Sequence, residues 1–115
     1  MLAPKLFPKP EHGRLREEFR TQMALNNKAA YIATQRALVG FSVLNRIGEI
    51  DCPALIVASD QDYTPPAAKE TYARRMKRAE VVVVNDARHA VPIEEPEKFN
   101  PVLLGFLERH TARSP

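Results

Sequence analysis

The stretches ALIVASDQDYTPP, at residues 54–66, and VVVVNDARHAVPIEEP, at residues 81–96, decide the fold. Each begins with a short, unbroken apolar run, which is typical of a strand buried on both faces. Between the runs, Thr64 and Pro65 predict the start of a helix, with the hydroxyl as N-cap and the proline in the first turn. A strand, a helix and a second strand within about 30 residues indicate two parallel strands joined by a crossover helix. The pattern therefore predicts an α/β fold.

The loops that follow the two predicted strands carry acids and a histidine. Asp60 and Asp62 follow the first strand, and His89 follows the second. Parallel strands end at the same edge of a sheet, where ligand crevices lie in open α/β folds. A carboxylate on one ring nitrogen of a histidine fixes the tautomer and leaves the other nitrogen free to accept a proton. His89 is therefore a candidate general base, while a structural loop histidine with two aspartates that bond their own backbone stays an open alternative.

Two helices are predicted before the first strand. Apolar residues at helical spacing predict a first helix over roughly residues 11–25 and a second after Asn26 or Asn27, either of which can cap it. The apolar positions are Leu15, Phe19 and Met23 in the first helix, and Ala30, Ala33, Ala37 and Phe41 in the second. The opening segment MLAPKLFPKP is rich in proline and predicts an extended arm rather than a folded element.

The helix between the strands is predicted to be amphipathic. Ala68, Tyr72 and Met76 recur at helical spacing, so we expect them to face inward while the basic residues of KETYARRMKR, 69–78, face solvent. The cations expected in the last helical turn, where they complement the helix dipole, are Arg75, Lys77 and Arg78.

A final helix is predicted near the end of the sequence. Pro101 lacks the N–H that a helix interior needs, so we expect one turn at residues 95–99 and a restart with Asn100 as the cap. The apolar positions that mark this helix are Phe99, Val102, Leu103, Phe106 and Leu107.

Composition limits the classes of function. The net charge is +3, and most of the excess lies in residues 69–78. No aromatic residues interleave with these charges as stacking platforms, so we expect no nucleic-acid partner. No apolar run is long enough for a signal peptide or a membrane span, and the single cysteine, Cys52, excludes an internal disulfide. We therefore expect a cytoplasmic protein with no membrane partner, no metal site and no cofactor.

The segment from Ile47 to Leu107 resembles the C-terminal third of the α/β-hydrolase superfamily. That family shows, in order, an isoleucine, a proline, an apolar strand with a G-x-x-D turn, a helix, a second strand, a histidine loop, E-x-P and a closing F-L helix. The matching residues are Ile50, Pro53, LIVASDQD, VVVVNDARHA, EEP and GFL. The upstream segment, from about Leu6 through NKAAYIATQRALVGF, is similar to the end of the family's helical cap. The resemblance implies a Pro-rich arm and cap helices at residues 1–46, and a βαβα part of the hydrolase core at residues 47–115.

The resemblance also implies roles for single residues. Asp62 corresponds to the acid of a catalytic triad and His89 to its base, because the family's acid stands fourth in the turn motif and Asp62 is fourth in SDQD. Asp60 is the competing acid and is expected to make turn hydrogen bonds instead. Asp86 lies on the histidine loop and is expected to shape that loop. Ser59 stands where the family usually has glycine, which puts the tight-turn geometry in question.

The nucleophile of the family is not found in this sequence. It sits in G-x-S-x-G on a strand-to-helix turn that precedes the cap, and none of Ser42, Ser59 and Ser114 stands in that context. We therefore expect the tail of a longer or split hydrolase that is inactive alone. The complete enzyme would take its nucleophile from a missing N-terminal portion and act on a small-molecule substrate. The alternative is a truncated, non-catalytic module that acts through association with another protein or with itself.

Overall fold

The computed structural model describes residues 2–111, which divide into two compact units with the boundary between Asn45 and Arg46. The first unit contains helices α1 (Ala3–Leu6), α2 (Gly13–Leu25) and α3 (Lys28–Leu38), with a 3-10 turn at Pro10–His12. The second unit contains a 3-10 turn (Ile47–Glu49), strand β1 (Ala54–Ser59), helix α4 (Pro66–Ala73), strand β2 (Ala79–Val84), helix α5 (Val91–Glu94) and helix α6 (Pro96–Thr111). None of the helices formed by the described residues combines the length and the apolarity that a membrane span requires.

The proline-rich opening is folded, so the prediction of an extended arm is wrong. Ala3–Leu6 of this segment form α1, and the side chain of Phe7, the next residue, is buried. The Phe7 ring packs edge-on against Phe19 of α2, with the ring centroids 6.0 Å apart. Arg16 of α2 donates from Nη1 to the carbonyl oxygens of Phe7 and Lys9, both at 2.7 Å. Apolar burial and these two hydrogen bonds therefore fix the opening segment on α2.

Helices α2 and α3 occur where the periodicity predicts them. Asn27 caps α3, since its side-chain oxygen accepts a hydrogen bond from the N–H of Ala30 at 3.0 Å. The apolar positions of α2 are part-buried, as expected for its packed face, and they are Leu15, Phe19 and Met23. The corresponding side of α3 is exposed, and Phe41 lies beyond the end of the helix. The spacing therefore predicted the helix α3 correctly but not the burial of its apolar side.

Strands β1 and β2 pair in parallel in the described part of the chain, which confirms the predicted α/β fold. The register pairs Ala54 with Ala79 and Ser59 with Val84, so the two strands end level with each other. Helix α4 packs on both strands, and α6 packs on β2. The buried cluster of this unit, with the part-buried residues against it, comprises Val84, Ala87, Val91, Val57 and Phe99.

Helix α4 begins later than the sequence predicts. Its first residue is Pro66, and Pro65 occupies the N-cap position in an extended conformation with no side-chain cap. A residue before a proline avoids the helical region, so the second proline of the pair moves the helix start by one position. Thr64 is consequently not the cap, and its hydroxyl donates to Asp62 Oδ2 at 3.1 Å instead.

The buried face of α4 also differs from the prediction. It carries Lys69 and Ala73, whereas Ala68 is exposed. The helix ends at Ala73, so three cations expected in its last turn lie beyond it: Arg75, Lys77 and Arg78. A lysine is seldom buried unless its charge is paired, and the partner of Lys69 belongs to the candidate site described below.

Helix α6 is continuous through Pro101, so the predicted break with a restart at Asn100 is wrong. Pro101 removes a single backbone hydrogen bond in the second turn of the helix. The packed side of α6 outweighs that loss, and its part-buried apolar residues are Phe99, Val102, Leu103 and Phe106.

Candidate catalytic site

His89 and Asp62 meet at the edge of the sheet where β1 and β2 end. Nδ1 of His89 lies 3.1 Å from Oδ1 of Asp62. The His89 side chain is 48% exposed and the Asp62 side chain 6%, so the imidazole faces solvent with the acid buried behind it. With its proton on Nδ1, the ring donates to the carboxylate and leaves Nε2 as a hydrogen-bond acceptor. This is the arrangement in which an imidazole can take a proton from a hydroxyl or from water.

The second oxygen of Asp62 is held by a lysine and a threonine. Oδ2 accepts from Lys69 Nζ at 2.8 Å and from the Thr64 hydroxyl at 3.1 Å. Burial alone would raise the pKa of Asp62, because it disfavours the charged form. The hydrogen bonds from Lys69 and Thr64, the charge of Lys69 and the hydrogen bond from His89 outweigh burial, so the pKa of Asp62 is lowered. Asp62 is therefore ionised at neutral pH.

The outer nitrogen of His89 contacts a tyrosine. Oη of Tyr63 lies 2.8 Å from Nε2, and the two ring centroids are 4.4 Å apart with a tilt of 34°. When the imidazole carries its proton on Nδ1, the phenol donates to Nε2. Tyr63 is 70% exposed, so its side chain can leave this position without disturbing the buried cluster. Nε2 is thus already oriented to accept a hydrogen bond from a hydroxyl group.

Ser59 and Asp60 join the loop after β1 to the histidine loop. Oδ1 of Asp60 accepts from the N–H of Ala87 at 3.2 Å, and the Ser59 hydroxyl donates to the carbonyl oxygen of Arg88. A hydrogen bond from the backbone of Asp86 is the largest cause of the lowered pKa of Asp60. Asp60 therefore bonds backbone groups, as expected of the competing acid. Ser59 stands where the hydrolase family usually has glycine, and its hydroxyl links the end of β1 to the histidine loop through the hydrogen bond to Arg88.

Two further carboxylates shape the histidine loop. Glu94 is 8% exposed, and its Oε1 accepts from the N–H of Arg88 at 2.7 Å. Its Oε2 has no hydrogen-bond partner among the residues that the structure describes. Asp86 has a φ of 55°, a left-handed conformation that aspartate tolerates better than most residues, and its Oδ1 accepts from Gln61 Nε2 at 3.3 Å. Glu94 and Asp86 therefore both stabilise the backbone that presents His89.

The hydroxyls of the described serines, Ser42 and Ser59, have backbone partners. Ser42 Oγ accepts from the N–H of Leu44 at 3.2 Å, and Ser59, which is buried, donates to Arg88. Ser114 lies outside the described residues. Tyr63 supplies the hydroxyl that contacts Nε2 of His89.

Solved structures share the fold of this chain. MGS-MChE2, an α/β-hydrolase enzyme from the metagenome of sediments from the lagoon of Mar Chica, Morocco, matches 96% of this chain with a TM-score of 0.68 and 21% identity. The match covers 56% of that chain. The chain has a partial α/β-hydrolase fold. A second α/β-hydrolase enzyme, MGS-M2 from a Medee basin deep-sea metagenome library, matches 97% of this chain and 42% of its own length, with a TM-score of 0.58 and 20% identity. The resemblance recognised in the sequence is confirmed, and the partial coverage agrees with a C-terminal portion.

Curated proteins of known name match at higher identity. A protein of Agrobacterium fabrum named "Putative carbamate hydrolase RutD" is 38% identical over 72 residues, which are 62% of this chain and 28% of that protein. A protein of the same name from Rhizobium rhizogenes is 33% identical over 81 residues, 70% of this chain and 31% of that protein. This chain therefore spans less than a third of these relatives.

A third relative carries a different name. The "Dihydrolipoyllysine-residue acetyltransferase component of acetoin cleaving system" of Pseudomonas putida is 40% identical over 58 residues, 50% of this chain and 15% of that protein. No family model matches the chain. The two names among these relatives belong to different activities, so similarity to this segment does not define a substrate.

The sequence alone did not identify Lys69 and Tyr63 as members of this site. The basic pattern of residues 69–78 predicts a solvent-facing Lys69, whereas its side chain is 10% exposed and paired with Asp62. One signal was present: helical side chains point back toward the N-terminus, so a long residue in the first turns of α4 can reach the preceding loop. Tyr63 follows Asp62 directly, and no spacing argument assigns it to His89.

Proposed function

We propose that this chain supplies the acid, Asp62, and the general base, His89, of a catalytic triad in an α/β-hydrolase. The observation that carries the proposal is the distance of 3.1 Å between His89 Nδ1 and Asp62 Oδ1. Nε2 of the same ring points away from Asp62 and contacts the Tyr63 hydroxyl. This arrangement joins a buried, ionised acid to an accessible imidazole at the edge of a parallel sheet. Both properties are what general-base catalysis requires.

The chemistry follows from the positions of the two ring nitrogens. A nucleophile hydroxyl, or a water molecule, passes its proton to Nε2 as its oxygen attacks the carbonyl carbon of the substrate. Asp62 stabilises the resulting imidazolium through Nδ1 and keeps the ring in the required tautomer. Nε2 then returns the proton to the leaving group as its bond to the carbonyl carbon breaks. Tyr63 has to vacate Nε2 before the first of these steps.

The nucleophile in this proposal comes from outside the 115 residues. The hydroxyls of Ser42 and Ser59 have backbone partners, and the chain spans less than a third of its RutD relatives. A missing N-terminal portion, fused or in trans, is therefore the first partner we propose. The single cysteine of the sequence supports a reducing, cytoplasmic compartment for the enzyme.

The substrate class proposed is a small carboxyl derivative that loses its leaving group by acyl transfer. The name of the RutD relatives makes carbamates the first compounds to test. Carboxylic esters should be tested as well, because they have the same reacting carbonyl group and their hydrolysis needs the same base and acid.

The competing function is a non-catalytic module that acts through protein association. The observation that favours it is the number of large apolar side chains exposed on the chain. They include Leu25, Val39, Phe41, Ile93 and Leu104. Association with a partner would remove apolar side chains of this kind from water.

A chimera separates the two functions. It joins the part of the Agrobacterium fabrum relative that precedes the matched 72 residues to this chain. We expect turnover of aryl carbamates or 4-nitrophenyl esters by the chimera, and no more than surface-imidazole reactivity from the 115-residue chain alone. A folded chimera without turnover favours the association module. Stoichiometric fluorophosphonate labelling of the chain alone at Ser42 or Ser59 would instead require a different active site.

A further inference from the structure

We propose that Lys69 is a positioning residue for the acid–base pair, because it holds the buried Asp62 carboxylate in the one orientation that presents an oxygen to His89. This inference rests on the proposed function and deepens it. The hydrogen bonds of Lys69 go to Asp62 and Thr64. Lys69 acts through Asp62.

The contacts of Lys69 define a closed set of hydrogen bonds. Its Nζ donates to Asp62 Oδ2 at 2.8 Å, and also to the carbonyl oxygen and the hydroxyl of Thr64, each at 2.5 Å. The Thr64 hydroxyl in turn donates to the same Asp62 oxygen. An ammonium group has three N–H donors, and three acceptors surround this one. The lysine side chain is therefore fixed at its charged end.

The two Asp62 oxygens have separate tasks. Oδ2 is occupied by Lys69 and Thr64, while Oδ1 faces Nδ1 of His89. A carboxylate bound at one oxygen only can rotate about its terminal torsion, which has a broad profile. Binding at Oδ2 removes that freedom and leaves Oδ1 for the imidazole. The hydrogen bond from Lys69 to Oδ2 of Asp62 thus sets the orientation of His89, which contacts the other oxygen.

Burial explains why Asp62 needs a cation. Its side chain is 6% exposed and that of Lys69 is 10% exposed, so water solvates neither charge well. A buried carboxylate without a partner tends to become protonated, and a protonated acid no longer stabilises an imidazolium. Lys69 supplies the opposite charge and the hydrogen bond together. Of His89, Asp62 and Lys69, the imidazole of His89 is the group that faces solvent.

Another lysine of the chain offers a matched comparison. Lys77 pairs with Asp51, but both side chains are largely exposed, at 58% and 79%. Exposed ion pairs contribute little and leave the side chains mobile. Lys77→Met therefore removes a lysine–aspartate pair without touching the acid–base site.

The test measures the tautomer of His89 by long-range ¹H–¹⁵N NMR of the 115-residue chain with ¹⁵N-histidine, at mildly alkaline pH. We expect the Nδ1–H tautomer to dominate in the wild-type chain and in Lys77→Met. We expect Lys69→Met to lose that dominance, and Lys69→Arg to restore it in part because the charge and donors return. A folded Lys69→Met chain that keeps the wild-type tautomer would overturn the proposal.

A second measurement decides the matter if Lys69→Met does not fold. In the wild-type chain the Nζ protons of Lys69 should exchange with water more slowly than those of Lys77, and Asp62→Asn should narrow the difference, because the charge of one of the three acceptors is lost. Equal exchange of the two lysines would contradict the proposal.

The tautomer and exchange measurements do not depend on hydrolysis. An inactive chimera together with a Lys69-dependent tautomer therefore rejects the proposed function alone. In an active chimera, Lys69→Met should lower kcat by about 10–100-fold with little change in KM. Loss of the outer-shell groups that orient metal-ligating side chains has an effect of this size.

Discussion

Asp62 and His89 are 27 residues apart in the sequence, yet Oδ1 of the first lies 3.1 Å from Nδ1 of the second. The register of the sheet accounts for this proximity. Because Ser59 pairs with Val84, the loops after β1 and β2 leave the sheet at the same level. An acid in one loop is then within hydrogen-bond distance of a histidine in the other. The pair is thus a consequence of topology, and its fine geometry is set by the groups around it.

The two aspartates of the loop after β1 should differ sharply in their importance for catalysis. In the active chimera we expect Asp62→Asn to lower kcat on the order of 10⁴-fold, because asparagine favours the wrong imidazole tautomer. Asp60→Asn is the matched control and should cost much less, since asparagine keeps an oxygen for the N–H of Ala87. Steady-state kinetics of both variants test this. Equal losses in the two variants would contradict the assignment of Asp62 as the acid.

Stability in acid should depend on Asp62. Its pKa is lowered in the folded chain, so the unfolded chain binds the proton more readily. The stabilisation is fully present above the unfolded pKa of ~3.9 and is lost as the pH falls through the folded pKa. We therefore expect Asp62→Asn to be less stable than wild type at neutral pH, and the difference to shrink in acid. Urea unfolding from about pH 7 to pH 2 measures it. A difference that does not change with pH would contradict this linkage.

Glu94 should stabilise the histidine loop through a single oxygen. Oε1 accepts from the N–H of Arg88, while the buried Oε2 has no hydrogen-bond partner in residues 2–111. Glu94→Ala leaves the Arg88 N–H unsatisfied, so we expect the free energy of unfolding to fall by about 1–3 kcal/mol. Glu94→Gln keeps the acceptor and should cost less. Denaturant unfolding tests both, with the exposed Glu97→Ala as control. Equal losses in Glu94→Gln and Glu94→Ala would mean that the charge of Glu94, and not the acceptor oxygen, stabilises the loop.

Tyr63 should shield the outer nitrogen of His89. Its hydroxyl lies on Nε2 and its ring lies against the imidazole. Tyr63→Phe removes the hydroxyl and frees the lone pair, so we expect diethyl pyrocarbonate to modify His89 faster in this variant. Mass spectrometry of the modified chain measures the rate, and His110 provides an internal reference. An unchanged ratio of the two rates would show that Tyr63 does not protect Nε2 in solution.

The apolar pattern predicted the elements that carry the site. The strands followed from two unbroken apolar runs, and a cap at Asn26 or Asn27 followed from local side-chain chemistry, with Asn27 the one that the structure shows. Such signals are local, so they can be read without knowing the rest of the fold. The proximity of His89 to an acid after β1 needed the additional rule that parallel strands end at one edge, and the choice of Asp62 over Asp60 came from the resemblance to the hydrolase family.

The features that sequence reasoning missed depend on contacts between distant or competing groups. The pairing of Lys69 with Asp62 requires the path of the chain around Pro65, which also removed Thr64 from the N-cap. The opening segment folds because Arg16 and Phe19 of α2 bind it, and proline content does not reveal those partners. Helix α6 passes through Pro101 because its packed side outweighs one lost hydrogen bond.

The most direct test of the central claim is the turnover of the chimera with and without His89. If His89 is the general base, His89→Ala should lower kcat by at least about 100-fold, because general-base catalysis typically contributes that much or more. His110→Ala, which removes a histidine from the last turn of α6, should leave kcat near the wild-type value. A chimera that turns over its substrate equally well after His89→Ala would contradict the assignment of Asp62 and His89 as the acid and base of a hydrolase.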